Sequence, residues 1–191
     1  MASQGPDYDP RVPRHVAFLR AINVGNRRAA RDQLTACLES LGFENVTTFR
    51  ASGNLIFDAP RQSESALRKR LDDALTESLG YDVRAFVRTA AEARAIAAHG
   101  PFPPKVLHTS AGKMQVALLA GVPPPPVRDQ VLSMATDADP LAIEGRELYW
   151  LPSGPTMETG LNLRALDKLV GENTRRTKRM IEEIAAKFFD G

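Results

Sequence analysis

The sequence predicts an α+β protein whose first half is wound β-α-β-β-α-β, and three observations predict it. Strand-length apolar runs and helix-length apolar faces follow one another in that order from His15 to Val87. Turn and cap residues mark each change of period. A weaker echo of the same order follows Gly112. The first half is the split βαβ, or ferredoxin-like, arrangement, in which two helices cover one face of an antiparallel sheet. The second reads as a smaller α+β half.

His15 to Ile22 is an apolar run of strand length that ends in the turn-forming Asn23-Val24-Gly25-Asn26. A helix follows, with Asp32 as the expected N-cap, Leu34, Cys37, Leu38 and Leu41 on one face, and Gly42 placed for a left-handed cap. Val46 to Arg50 and Leu55 to Phe57 are short strands separated by Ala51-Ser52-Gly53-Asn54, a hairpin turn or a bulge within one strand. A longer helix runs from a Ser63 cap through Leu67, Leu71 and Leu75 to Gly80, and Val83 to Val87 closes the unit. Phe18, Leu38, Leu71 and Phe86 are expected in its core. Thr89-Ala-Ala-Glu92 is a capping box that opens a short helix stopped by Gly100-Pro101.

In the second half, Met114 to Leu119 reads as a strand, and the run Pro123 to Pro126 leads into a helix with Val127, Val131 and Leu132. Leu141 to Ile143 and Leu148 to Leu151 form a hairpin around Glu144-Gly145-Arg146, with one of Tyr149 and Trp150 pointing inward and the other outward. An Asn162-capped helix ends at Gly171, and a final helix is expected from Thr174, so this half lacks a clear fourth strand. The expected organisation is a disordered tail over 1–13, a ferredoxin-like subdomain over 14–100, a linker over 101–112, and a second α+β subdomain with C-terminal helices over 113–191.

The chain has 191 residues, 43% hydrophobic and 25% charged, which suits one sizeable core or two small ones and excludes a disordered or fibrous protein. Its single cysteine, Cys37, forms no internal disulfide and reads as a core residue. No Cys/His cluster has zinc-ligand spacing, so no metal site is assigned. The first residues lack a signal-peptide pattern, and no run approaches the roughly 20 apolar residues of a membrane span. A cytoplasmic location with no membrane partner is therefore expected.

The net charge of +2 is too small for a dedicated nucleic-acid binder, but its distribution is uneven. Arg14, Arg20, Arg27, Arg28, Arg31 and Arg50 gather around the first loop, and Arg175, Arg176, Lys178 and Arg179 form a second cluster. Two polar breaks interrupt the apolar pattern, Arg20-Ala-Ile-Asn23-Val-Gly25 and Ser52-Gly53-Asn54. In the ferredoxin-like order the first and third strands are antiparallel neighbours, which puts both breaks at one end of the sheet, beside the start of the first helix. Free N–H groups and the positive dipole end favour an anion there. Gly25 and Gly53 supply positive φ or close backbone approach, while Ser52, Asn23 and Asn54 both donate and accept hydrogen bonds. Arg20, within an apolar strand, faces either a pocket or the sheet surface that the helices leave uncovered. The alternative for the constellation as a whole is two ordinary turns.

The segments Val16-Ala-Phe-Leu-Arg-Ala-Ile-Asn-Val-Gly25, Leu41-Gly-Phe43, Asn45-Val-Thr-Thr-Phe49 and Ser52-Gly-Asn-Leu-Ile-Phe57, with Phe86-Val-Arg-Thr89 and Gly100-Pro-Phe102, resemble the bacterial family catalogued as domain of unknown function 1697. The resemblance implies two α+β subdomains, one of them ferredoxin-like, and implies no activity. It nominates the same polar breaks. Asn26 stands where the family usually has a second glycine, and Ala51 where it has a glutamine. The Thr-Arg-Asn-Trp pattern of the family is Thr174-Arg175-Arg176-Thr177 here, so only Thr174 and Arg175 carry over.

No phosphate loop, dinucleotide fingerprint, nucleophile elbow or metalloprotease motif is present, so no catalytic residue or cofactor is assigned. Two function classes follow. One is a protein, enzyme or not, that holds a small phosphate- or carboxylate-bearing ligand with Arg20, Asn23, Gly25, Ser52, Gly53, Asn54 and Arg175. The other is a binding module for nucleic acid or an acidic protein that uses the basic clusters.

Overall fold

The computed structural model describes residues 12–20, 22, 28–50 and 53–190. The expected tail lies almost wholly outside them. The chain divides into two compact units, one formed by residues up to Ala93 with the last few from Phe188, the other by Arg94–Lys187.

The first unit contains β1 (Arg14–Arg20), α1 (Arg31–Ser40), β2 (Glu44–Thr48), β3 (Asn54–Asp58), α2 (Glu64–Leu79) and β4 (Arg84–Thr89). Its strands lie in the order β2-β3-β1-β4, each pair antiparallel. This is the ferredoxin-like order, and β2 and β3 are separate strands of a hairpin. Alternation turns Ala17, Leu19, Leu55, Phe57, Ala85 and Val87 to one face, where Leu34 and Leu38 of α1 and Leu67, Leu71 and Leu75 of α2 pack on them. The opposite face is buried too, with Phe18 paired across from Phe86 and Val16 beside Ile56. Leu38 and Leu71 thus share the helix-side core, while Phe18 and Phe86 belong to the other face. Burial on both faces explains why β1 reads as a continuous apolar run.

Local signals set the ends of these helices. Ser63 Oγ accepts the Ala66 N–H at 3.2 Å, and α2 stops at Gly80 in the left-handed region with φ +74°. The start of α1 differs from expectation, because the N-cap position is Ala30 and Asp32 sits in the first turn. Ala30 has extended backbone, and its carbonyl already accepts the Leu34 N–H, so Asp32 is one step inside the helix.

The helix α3 (Ala90–Ala98) runs across the boundary, and after it come α4 (Pro104–Thr109), β5 (Gln115–Leu119), α5 (Pro125–Ser133), β6 (Leu141–Glu144), β7 (Glu147–Trp150), α6 (Leu163–Val170), β8 (Asn173–Thr177) and α7 (Lys178–Phe188). The capping box that opens α3 is closed in both directions, by Thr89 N–H to Glu92 Oε2 at 2.8 Å and Glu92 N–H to Thr89 Oγ1 at 3.2 Å. The second sheet runs β6-β7-β5-β8, again antiparallel throughout, so the second unit repeats the first topology. The fourth strand, missing from the sequence reading, is β8. Its five polar residues carry no apolar alternation, and the expected helix begins four residues later than Thr174, at Lys178. Tyr149 and Trp150 are both buried, because this strand too is covered on both faces. Trp150 Nε1 donates to Asp139 at 2.9 Å, and the His99 ring lies 5.0 Å from that of Tyr149.

The repetition extends to register. Val16 lies opposite Arg88 and Ile56, and Val116 opposite Arg176 and Tyr149. The Leu19 N–H bonds the Gly53 carbonyl at 2.8 Å, and the Leu119 N–H bonds the Arg146 carbonyl at 2.9 Å. Each closing strand ends in Arg-Thr, and each threonine hydroxyl accepts an N–H of the helix that follows.

Candidate functional site

At the end of the first sheet, on the side its helices cover, lies a cavity of about 430 Å³ lined by Arg28, Arg31, Leu34, Thr48, Arg50 and Gly53. Among the described residues, its lining comes from the chain entering α1 and its first turns, from Thr48 at the end of β2 with Arg50 beyond it, and from Gly53, which leads into β3. Leu34 is buried in the helix-side core and supplies an apolar floor. Arg28, Arg31 and Arg50 are exposed at the rim. Thr48 sits opposite Leu55 in the ladder, and its Oγ1 is buried with no hydrogen-bond partner. The first turn of α1 has no side-chain cap, so its leading N–H groups stand at the same place.

The described residues on either side of the β2–β3 turn have left-handed backbone. Arg50 has φ +57°, a left-handed conformation that a non-glycine residue adopts at a cost of about 1–2 kcal/mol. Its guanidinium lies 5.5 Å from the centre of the Phe49 ring. Gly53 has φ +69°, and a Cβ there would come within 2.2 Å of Ile22 Cδ1 and 3.2 Å of Leu19 Cβ. Only glycine fits, on both counts. Asn54 ties the turn together, its Nδ2 donating to the Phe49 carbonyl at 3.0 Å while the Phe49 N–H bonds the Asn54 carbonyl at 2.9 Å.

The candidates named from sequence sort accordingly. Gly53 lines the cavity. Asn54 is wholly buried and acts as a clasp for the turn. Arg20 is the exposed last residue of β1, paired across from Arg84, and alternation puts it on the face away from the helices and the cavity. Asn23, Gly25 and Ser52 lie outside the described residues. Arg175 belongs to the second unit, where it forms an ion pair with Asp167 of α6. Arg28, Arg31 and Arg50 were legible only as members of a loose basic group, and Thr48 carried no signal. From the same group, Arg14 is paired with Asp58 at 2.7 Å, at the opposite end of β1.

The C-terminal cluster is engaged internally. Arg176 donates to the Thr174 hydroxyl at 3.0 Å and the Arg175 carbonyl at 2.8 Å, and burial of its guanidinium pushes its pKa down to about 10, which leaves it charged at neutral pH. Lys178 Nζ bonds the Ala97 carbonyl and Glu182, and Arg179 pairs with Glu183. Cys37 is buried, and desolvation raises its thiol pKa, so it is a poor nucleophile. Among the described residues no group of three or more His, Cys, Asp or Glu side chains is placed to hold a metal ion, and no helix is long and apolar enough to cross a membrane.

Comparison with known proteins supplies a lineage. The family model described as protein of unknown function (DUF1697) matches residues 12–149. Among solved structures, a conserved bacterial protein from Streptococcus pneumoniae superposes with a TM-score of 0.74 at 18% identity, over 92% of this chain and 97% of that one. At that identity the likeness speaks for the fold. No curated protein matches the chain.

Proposed function

The chain belongs to the DUF1697 family, and on the geometry of its first unit we propose that it binds a small phosphate- or carboxylate-bearing molecule in the cavity at the end of the first sheet. One observation carries the reading: three arginines converge on a cavity of ligand size at the uncapped start of a helix. The second unit serves as an internal control. It makes the same connections with residues 120–124 between β5 and α5 and with Gly145-Arg146 between β6 and β7, where the first unit uses residues 21–30 and 49–53. The topology does not require the longer segments. Nor does it require an arginine in left-handed backbone between β2 and β3, a type of strain that collects at functional sites. The site proposed is Arg28, Arg31, Thr48, Arg50 and Gly53, with Asn23, Gly25 and Ser52 on the adjoining segments.

The alternative, a module that holds nucleic acid or an acidic protein, draws less support, since all four C-terminal cations have partners within the fold. A thermal-shift screen separates the two. A panel of phosphorylated and carboxylated metabolites is expected to contain members that raise the Tm above a chloride control of equal ionic strength. Ligand at 100 times its Kd stabilises the fold by about 2.7 kcal/mol. The rise should disappear in Arg31→Gln. If no member raises the Tm, or the rise persists in Arg31→Gln, the reading fails.

A further inference from the structure

At the end of the first sheet away from the cavity, we infer that His15 is a proton-operated switch: a proton taken up by its ring in mildly acidic solution loosens the pairing of the start of β1 with β3 and β4. His15 lies opposite Phe57 on one side and Thr89 on the other, and alternation puts its ring on the helix-covered face with Ala17 and Leu19. It is 8% exposed. The ring stacks on Phe57 with centroids 5.7 Å apart, and Phe57 stacks in turn on Phe43 at 5.1 Å. Nδ1 is buried and has no hydrogen-bond partner among the described residues. A neutral imidazole can leave that nitrogen as an unprotonated lone pair. An imidazolium must place an N–H there, where it meets no acceptor, and must bury its charge.

The charged groups around the ring are committed elsewhere. Asp58, next to Phe57 on β3, accepts from Arg14 at 2.7 and 3.2 Å and from Asn45 at 2.8 Å. Glu92 of α3 accepts both the N–H and the hydroxyl of Thr89 in the capping box. Glu64, in the first turn of α2, and Glu44, across from Asp58 on β2, are exposed. Burial holds the ring pKa below the usual histidine value, outweighing the Pro13 backbone and the carboxylates of Asp58, Glu92 and Glu64, which favour the proton. Folding thus favours the neutral ring. Its contribution to stability is whole above about pH 6.5 and is lost as the pH falls from there through the lowered pKa.

The test has two arms, both on the full chain. In the first, the histidine ring signals are followed by NMR as the pH is lowered, and His15→Phe, which keeps a ring against Phe57, identifies the His15 signal by its loss. That signal is expected to titrate below about pH 6.5. In the second, denaturant unfolding is compared at pH 7.5 and pH 5.5 for the parent, His15→Phe and His15→Gln. The unfolding constant of the parent should rise on acidification by about three- to tenfold more than that of either variant, tenfold being about the most that one such group allows between these pH values. His15→Gln carries the comparison if the phenylalanine does not fit. Hydrogen exchange at pH 5.5 should show protection lost in the parent first at the amides of residues 15–16, 57 and 89. A His15 ring that titrates at or above pH 6.5, or an equal acid loss in the parent and the variants, would overturn the switch.

Discussion

Asn54 and Arg50, four residues apart on one turn, have opposite jobs. The Asn54 side chain is fully buried and closes the turn through the Phe49 carbonyl. Asn54→Ala should therefore destabilise the fold by about 1–3 kcal/mol, since it strips a buried hydrogen bond and leaves the Phe49 carbonyl short of a donor. Arg50 is exposed and holds a left-handed backbone that glycine adopts freely. Arg50→Gly removes about 1–2 kcal/mol of strain, partly offset by the greater freedom of glycine in the unfolded chain. It should leave stability unchanged or raise it by up to about 1 kcal/mol while anion binding falls. Chemical denaturation of both variants checks the pair. A loss above about 1 kcal/mol in Arg50→Gly would mean that its side chain holds the turn. At this scale the sequence was partly legible, because Gly53 and Asn54 announced a turn. Which arginines face the cavity was not legible, since Arg20, Arg28, Arg31 and Arg50 differ only in the strand face and turn geometry that the backbone gives them.

Among elements, the strands and helices of the first unit could be read from apolar period and caps, and β8 could not. Asn-Thr-Arg-Arg-Thr has neither alternation nor β-rich apolar character, and after Gly171 the sequence pointed to a final helix from Thr174. What makes it a strand is tertiary. It pairs with β5 along its whole length, and Asp167 of α6 accepts from Arg175 and, at 3.1 Å, from Asn173 Nδ2. Both arginines are partly buried, and each finds its partner inside the unit. Asp167→Ala breaks this clasp on an edge strand. The ion pair is partly exposed, which limits its share to about 1 kcal/mol or less, and loss of the Asn173 bond brings the expected cost to about 1–2 kcal/mol. Hydrogen exchange should show amide protection lost first in β8 and the facing side of β5. Uniform protection equal to the parent would show that backbone pairing alone holds the strand.

For the whole molecule, two copies of one topology carry unequal detail. Val16-Ala-Phe-Leu19 and Val116-Ala-Leu-Leu119 occupy the same place in each sheet, with the same register to an Arg-Thr strand end. No exact repeat is visible in the sequence, because core positions tolerate any apolar residue of suitable volume and surface positions are free to drift. The copies diverge where the loops meet at one sheet end, and there the first carries the arginine-lined cavity. The most direct test is a ¹H–¹⁵N correlation titration of the full chain with phenyl phosphate. Saturable shifts concentrated on the amides of residues 28–34 and 48–54, and absent in Arg31→Gln, are the expected result. Shifts centred on 173–179, or scattered over the surface without saturation, would contradict the cavity as the binding site.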